Sequence, residues 1–209
     1  MSIQQNKPQF IRLLENNLKS ELPGEKAHDI MRTGPKLPKA AEYLTKAPVS
    51  SAVLILLFPK RDSFNFILTL RSKNVETHKG QISLPGGVQE KDESLEETAL
   101  REANEEIGVM PETVEIIGEL STLYVPYSGF KIYPYVGWTN STPKLKASAE
   151  EVEKIIVASI TELLNNDNQR KKTTVLRGIP VTMPYFNLNN EKVWGATSMI
   201  LSEFKQLIS

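Results

Sequence analysis

The stretch that decides the fold is GGVQEKDESLEETALREANEEIGV, residues 86–109. Proline lacks a backbone donor and paired glycines favour turn geometry, so Pro85, Gly86 and Gly87 predict a turn and not a strand. The residues that follow recur with helical spacing as far as Gly108, and glycine commonly stands just past the last helical turn. The stretch therefore predicts a glycine turn that leads directly into one helix.

Two faces of this predicted helix differ in character. Its apolar positions recur every four residues and form one stripe: Leu95, Ala99, Ala103 and Ile107. Glu102, Glu105 and Glu106 have i, i+3, i+4 spacing, so they gather on another face. Asp92 or Ser94 can cap the N-terminal end of the helix. We therefore expect an amphipathic helix with an acidic face.

Three carboxylates on one helical face repel each other unless something neutralises them. Hard divalent cations take oxygen ligands, and Mg²⁺ commonly acts together with substrate phosphates. The alternative is a solvated acidic face held by ion pairs such as Glu97–Arg101. The glycine turn before the helix, with Glu93 and Arg101 at set offsets, favours a metal site that takes Mg²⁺ or Mn²⁺.

The stretch resembles the Nudix box, the signature of hydrolases that split nucleoside diphosphates linked to another group. The pattern G-x5-E-x7-R-E-U-x-E-E-x-G-U, in which U is aliphatic, is filled without a gap from Gly87 to Val109. The resemblance implies a metal held by Glu105 and Glu106, with Glu102 as a further ligand or as the water-activating residue. The residues to which it assigns a catalytic role are Glu93, Arg101, Glu102, Glu105 and Glu106.

The same resemblance implies two supporting roles. Gly86 would offer its backbone carbonyl to the metal. Glu93 and Arg101 would brace the glycine loop against the helix, and Glu93 also suits the positive end of the helix dipole.

A second motif lies immediately upstream. Its parts are LTLRS at residues 68–72, HKGQIS at 78–83 and LPGG at 84–87. This spacing is similar to the extra motif of the coenzyme A pyrophosphatase branch of the Nudix superfamily, and later segments agree over roughly residues 50–204. Two residues depart from that branch: Leu84 stands where phenylalanine is usual, and Val88 where a basic residue is common, which could weaken one phosphate contact.

The upstream motif implies hydrolysis of the diphosphate bond of coenzyme A or acyl-CoA to 3′,5′-ADP and (acyl-)4′-phosphopantetheine. Since this substrate carries a diphosphate and a 3′-phosphate, its pocket needs Arg or Lys besides the metal. Arg71 and Lys79 are the expected phosphate donors, and His78 and Gly80 complete the expected substrate-binding set. The alternative role for Arg71 is a solubilising charge at the end of a strand.

The attacking water needs a general base, and three residues are open. Glu102 is one, and Glu150 or Glu151 is another because related hydrolases often take the base from the corresponding loop. Two other functions also stay open: a Nudix pyrophosphatase of another dinucleotide such as ADP-ribose or NADH, and a catalytically silent Nudix fold that binds a ligand. The intact acidic set argues against the silent fold.

Composition excludes several classes of protein. The 209 residues carry a net charge of zero, so no nucleic-acid or anionic-membrane surface is indicated. The chain contains no cysteine, which excludes disulfides, thiolate zinc sites and a cysteine nucleophile. No apolar run approaches the roughly 18 residues of a membrane span. We expect a cytoplasmic protein that acts on a small molecule.

Mixed strands and helices predict an α/β fold, and the resemblance implies a Nudix-type α/β/α sandwich with a mixed β-sheet. The expected strands cover residues 52–58, 64–71, 114–122, 131–138 and 152–157, with a hairpin of 180–186 and 192–194 across Asn189-Asn190. Helices are expected at 159–164 and 195–207, and a polar loop at 165–172.

The N-terminal part is expected to be an appendage, residues 1–49, to a Nudix domain at 50–209. Residues 8–20 predict an amphipathic helix whose apolar positions are Phe10, Leu13, Leu14 and Leu18. Residues 21–50 predict an irregular arm with a short helix around 40–44. The arm can wrap its own domain or reach a second subunit, so a homodimer is one open arrangement.

Overall fold

The computed structural model describes residues 7–34, 47–61, 63–72, 80–126, 128–176 and 178–209. The helices are α1 (Gln9–Leu18), α2 (Gly24–Ile30), α3 (Leu95–Ile107), α4 (Ile160–Leu164) and α5 (Gly195–Leu207). The strands are β1 (Val49–Lys60), β2 (Ser63–Arg71), β3 (Ile82–Ser83), β4 (Gly86–Val88), β5 (Glu115–Glu119), β6 (Leu123–Val125), β7 (Phe130–Trp138), β8 (Val152–Ser159), β9 (Gln169–Leu176), β10 (Ile179–Leu188) and β11 (Glu191–Val193). Among these described helices, none is long and apolar enough to cross a membrane.

Strand β1 is the centre of the larger sheet. It pairs parallel with β7 and antiparallel with β4, and its C-terminal end pairs antiparallel with β2. Strand β2 pairs in turn with β3 and β8, and β7 pairs with β5 and β6. A separate antiparallel sheet has the order β11-β10-β9. The mixed sheet confirms the predicted fold class.

The two faces of β1 contact two different layers. Ala52, Leu54, Leu56 and Phe58 pack with Ala99, Ala103 and Ile107 of α3. Ile55 and Leu57 point to the opposite face, where α1 and α5 contribute to the core. Because successive strand residues alternate between faces, a strand covered by helices on both sides reads as a continuous apolar run. The chain therefore forms the predicted sandwich, with β1 buried on both faces.

Helix α1 forms where the sequence predicts a helix, but its buried face differs from the predicted apolar stripe. Ile11, Leu14 and Leu18 are buried, whereas Leu13 is 54% exposed. Ile11 lies three residues before Leu14, on the face that packs against the core, and Leu13 lies off that stripe. Helix α2 was not predicted, because its seven residues follow Pro23 in a stretch rich in breakers. The helix predicted at 40–44 lies outside the described residues.

Two segments predicted to be irregular are strands. Gly86–Val88 is β4, not a turn, and pairs with β1 residues Ser51–Val53. Gly86 reaches this register at φ +155°, where a side chain would collide with the Ala52 carbonyl, so only glycine suits the position. Residues 169–172 of the predicted polar loop belong to β9, whose exposed polar side chains hide the strand pattern.

The C-terminal hairpin confirms its prediction. Strands β10 and β11 pair antiparallel across Asn189 and Asn190, both of which adopt positive φ. A two-residue hairpin turn with both central residues at positive φ favours Asn and Gly. Helix α5 then begins at Gly195, as predicted.

Candidate active site

Helix α3 is fixed at both ends by its own sequence. The Ser94 hydroxyl accepts a hydrogen bond from the Glu97 backbone N–H, and the Glu97 carboxylate accepts one from the Ser94 backbone N–H. This capping box satisfies two orphan donors of the first turn. Gly108 ends the helix in the left-handed conformation at φ +72°. Glu97 is therefore a capping residue, and not the partner of Arg101 that a solvated acidic face would use.

Three carboxylates meet beside this helix. Glu102 and Glu106 project from α3, and Glu151 comes from the loop before β8; one oxygen from each lies within 4.8 Å of the others. Glu106 is buried, and its Oε2 has no hydrogen-bond partner among the described residues. A buried carboxylate oxygen without a partner is unfavourable unless another group, such as a cation, satisfies it.

Glycine 87 lets Glu102 lie against the backbone of β4. A Cβ at this position would overlap the Glu102 carboxylate. The sheet register places Gly87 opposite Ala52, on the face that α3 covers. The glycine thus provides the space in which the Glu102 side chain packs.

Glu151 reaches the cluster through the pairing of β2 with β8. The Ser72 backbone N–H donates to the Glu151 carbonyl at 2.8 Å, and the strand register shifts between Leu70 and Arg71. This irregularity brings Arg71 to the same place, with its Nη1 3.6 Å from Glu106 Oε1. The end of β2 therefore places the Arg71 guanidinium against α3, and its pairing with Glu151 brings that carboxylate to the same place.

Arg101 braces the loop that precedes α3. Its guanidinium donates to both oxygens of Glu93, at 3.1 and 3.0 Å, and to the Val88 carbonyl at 3.2 Å. It also donates to Glu102 at 3.0 Å and to Glu105 at 2.8 Å. Arg101 therefore connects β4, the loop and two helical carboxylates through one planar group.

Burial and charge shift the pKa values of the site in opposite directions. Burial, helped by the negative charges of Glu102 and Glu151, raises the pKa of Glu106 to about 8, although Arg71 opposes it. Burial also raises the pKa of Glu102. The hydrogen bonds from Arg101 instead lower the pKa of Glu93 to about 2. Arg71 opposes the rise at Glu106 only in part, so a further positive charge would favour the ionised form of Glu106, whereas Arg101 already holds Glu93 ionised.

The other predicted site residues are not members of this carboxylate cluster. The side chain of Glu105 is 53% exposed and pairs with Arg101. Glu150 is exposed on the surface. Gly80, at φ +65°, donates its N–H to the Arg71 carbonyl at 3.1 Å. His78 and Lys79 lie outside the described residues.

Sequence reasoning named Glu151 only as a possible base and missed its place within the carboxylate cluster. Its distance along the chain from α3 gives no periodic signal, and only the β2–β8 register brings the two together. The carboxylate oxygens of Glu102, Glu106 and Glu151 are ligands that suit a hard divalent cation. The unpartnered Glu106 oxygen gives such a cation a place in the cluster.

Comparison with known proteins identifies the class. The NUDIX domain family matches residues 48–177, which is more than half of the chain. The chain therefore belongs to the Nudix family. The mitochondrial coenzyme A diphosphatase NUDT8 of Homo sapiens is 32% identical over 178 residues, which cover 83% of this chain and 75% of the relative. The Nudix hydrolase NudL of Photorhabdus laumondii is 29% identical over 174 residues, which cover 83% of this chain and 92% of the relative.

A solved structure supports the fold independently. The crystal structure of the MutT protein from Methanosarcina mazei Go1 matches with a TM-score of 0.50 and 21% identity, over 78% of this chain and 95% of that chain. At this identity the match concerns the architecture alone.

Proposed function

We propose that this Nudix hydrolase cleaves the diphosphate bond of coenzyme A or acyl-CoA, giving 3′,5′-ADP and (acyl-)4′-phosphopantetheine. The observation that carries the proposal is the meeting of Glu102, Glu106 and Glu151 with Arg71. Arg71 belongs to the upstream motif that resembles the coenzyme A branch, and it stands beside the acidic cluster. The 32% identity to the human coenzyme A diphosphatase supports the same branch.

Glu102, Glu106 and Glu151 would hold the cofactor, Mg²⁺ or Mn²⁺. When bound, such a cation neutralises charge on phosphate oxygens and lowers the pKa of a water molecule. Arg101 holds Glu102 in place and keeps β4 against the helix. Glu105 and the Gly86 carbonyl remain predicted ligands; Glu105 pairs with Arg101 through its Oε2.

Arg71 is the proposed phosphate donor of this pocket. Its side chain is 29% exposed, and its Nη1 lies 3.6 Å from Glu106 Oε1 beside the buried cluster. A planar guanidinium can donate two parallel hydrogen bonds to a phosphate. We place His78, Lys79 and Gly80 in the same substrate pocket because they follow Arg71 in the motif.

The general base is proposed to come from the cluster. Glu102 and Glu151 lie within it, whereas Glu150 is exposed. Glu102 already accepts a hydrogen bond from Arg101, and its raised pKa brings it closer to neutral pH. Profiles of rate against pH for Glu102→Gln and Glu151→Gln decide which of the two residues is the base. Loss of the base abolishes the part of the profile in which the rate rises with pH.

The test is a comparison of substrates. The protein is incubated with Mg²⁺ and coenzyme A, ADP-ribose or NADH, and the products are separated by ion-exchange chromatography. We expect coenzyme A to be cleaved fastest, with 3′,5′-ADP as one product. Glu106→Gln should lose activity by orders of magnitude, and Glu96→Gln, an exposed change on the same helix, should keep it.

Two results would overturn the proposal. Faster cleavage of ADP-ribose or NADH than of coenzyme A would make the protein a pyrophosphatase of another dinucleotide. Binding of coenzyme A without cleavage of any of the three would make it a ligand-binding module. The cytoplasmic location and the homodimer remain predictions.

A further inference from the structure

Two arginines flank the carboxylate cluster, and the structure holds them very differently. Arg101 donates to Glu93, Glu102, Glu105 and the Val88 carbonyl. Three of these partners, Glu93, Glu105 and Val88, lie outside the cluster. Arg101 therefore keeps most of its hydrogen bonds whatever happens between the three carboxylates.

Arg71 has much weaker anchoring. Its ion contact with Glu106 spans 3.6 Å, which is too long for a hydrogen bond. Its Nε is buried and has no acceptor among the described residues, and the same holds for Glu106 Oε2. Both partners of this ion pair therefore retain hydrogen-bonding capacity.

We propose that Arg71 is an exchangeable counter-ion, which pairs with Glu106 while the cluster holds no cation and turns to a substrate phosphate once a cation has taken Glu106. This rests on the proposed function only in that the cluster binds a divalent cation and the substrate carries a phosphate. Arg71 would thus act on Glu106 as its counter-ion in addition to the proposed contact with the substrate phosphate.

Simple electrostatics gives the direction of the exchange. A divalent cation on Glu106 would lie close to the Arg71 guanidinium, and two positive charges a few ångströms apart repel even in a screened site. The side chain is partly exposed and its Nε has no acceptor among the described residues, so an anion would satisfy a donor that they leave unpaired. By linkage, a phosphate that holds Arg71 away from Glu106 strengthens cation binding, and the cation strengthens phosphate binding in the same ratio.

The first experiment follows the arginine Nε–H signals by NMR. Arg71→Lys assigns the Arg71 signal, and Arg32 is the internal control because its side chain is 24% exposed and its Nε already donates to Asp29 at 2.7 Å. We expect Mg²⁺ to shift the Arg71 signal and to leave the Arg32 signal in place. Glu106→Gln should shift the Arg71 signal in the same direction without Mg²⁺. An Arg71 signal that stays unchanged at saturating Mg²⁺ would overturn the proposal.

The second experiment measures Mg²⁺ affinity by calorimetry, with and without inorganic phosphate. Both titrations are run near pH 9, where protons compete little with Mg²⁺ for carboxylates. There, Arg71→Gln should bind Mg²⁺ alone roughly tenfold more tightly, because the repelling charge is gone. Arg71→Lys keeps the charge and should stay near the wild type, as should Arg32→Gln.

Inorganic phosphate should tighten Mg²⁺ binding more in the wild type than in Arg71→Gln. Equal or weaker Mg²⁺ binding by Arg71→Gln than by wild type would overturn the exchange. Neither experiment uses coenzyme A, so its outcome is independent of which diphosphate the protein cleaves.

Discussion

Arg101 holds Glu93 through two hydrogen bonds, Nε to Oε2 at 3.1 Å and Nη2 to Oε1 at 3.0 Å. Glu93 precedes α3 and also accepts from the Glu90 backbone N–H and the Thr98 hydroxyl. The pair therefore ties the loop after β4 to the middle of the helix. Because this loop follows Gly87, the Arg101–Glu93 contact also fixes where Glu102 packs.

We predict that Arg101→Ala lowers kcat by roughly a hundredfold while the protein still folds. The expected cause is misplacement of the carboxylates, since an error of about an ångström in a site can cost that much. The kcat is obtained from initial rates with excess Mg²⁺, and circular dichroism checks that the variant is folded. The matched control is Arg32→Ala, which removes an arginine of equal exposure that pairs with Asp29. Wild-type kcat in Arg101→Ala would contradict the bracing role.

The two glycines of β4 should respond differently to alanine. In Gly87→Ala the atoms nearest to the new methyl belong to the end of the Glu102 side chain, which can move. We expect a stable protein with activity reduced about a hundredfold or more, because a carboxylate of the cluster is displaced. Kinetics and thermal unfolding of the same preparation separate these effects. A wild-type rate would show that Glu102 need not lie against this glycine.

Gly86→Ala should act through stability instead. Its methyl would meet the Ala52 carbonyl, and φ +155° is a conformation that alanine rarely adopts. We expect the free energy of unfolding to fall by about 1–3 kcal/mol, measured by urea titration. Unfolding at the wild-type urea concentration would contradict this account of β4.

The sequence predicts the local features of the site but not those that depend on strand pairing. The helix, its acidic face and its glycine end follow from local spacing, and the structure confirms Leu95–Ile107 as α3. The mixed order of strands and helices predicts the α/β class, and the apolar run of β1 predicts a strand buried on both faces. Local patterns could not place Glu151, since its position depends on the register between β2 and β8. Local patterns also predict a turn in place of β4, because paired glycines favour a turn and the strand is defined only by its pairing with β1.

The raised pKa of Glu106 leads to a prediction for the metal-free protein. Between its ordinary pKa near 4.5 and its folded value of about 8, the native state holds a proton that the unfolded state has released. The free energy of unfolding should therefore fall as pH rises through this window. Urea unfolding in chelator at pH 5.5, 7 and 8.5 measures it.

Glu106→Gln is the control for this pH dependence. Glutamine cannot titrate, so the fall should be smaller in this variant, with the remainder due to Glu102, whose pKa burial also raises. Mg²⁺ should restore stability to the wild type at pH 8.5, because it binds the native state. The same slope in both proteins would show that Glu106 is not the group that titrates.

The last prediction concerns a buried pair on the face of the sheet opposite α3. His28 Nε2 lies 2.9 Å from Glu203 Oε2, and both side chains are buried. The Glu203 carboxylate also accepts from the backbone N–H groups of Gly24, at 3.0 Å, and Ser121, at 3.2 Å. Burial alone would raise the pKa of Glu203, but these hydrogen bonds outweigh it and lower the pKa.

We expect His28→Ala to lower the free energy of unfolding by about 1.5–3 kcal/mol, because it removes a hydrogen bond to a buried charge. The kcat should stay near the wild type, since α2 and α5 lie across the sheet from the carboxylate cluster. Lys26→Ala, an exposed change on α2, is the control. Because the pKa of Glu203 is lowered, the stability it provides is present above pH 4.5 and is lost as pH falls below that value. The difference in unfolding free energy between wild type and His28→Ala should therefore shrink below pH 4.5, and a difference that stays constant there would contradict an ionised Glu203.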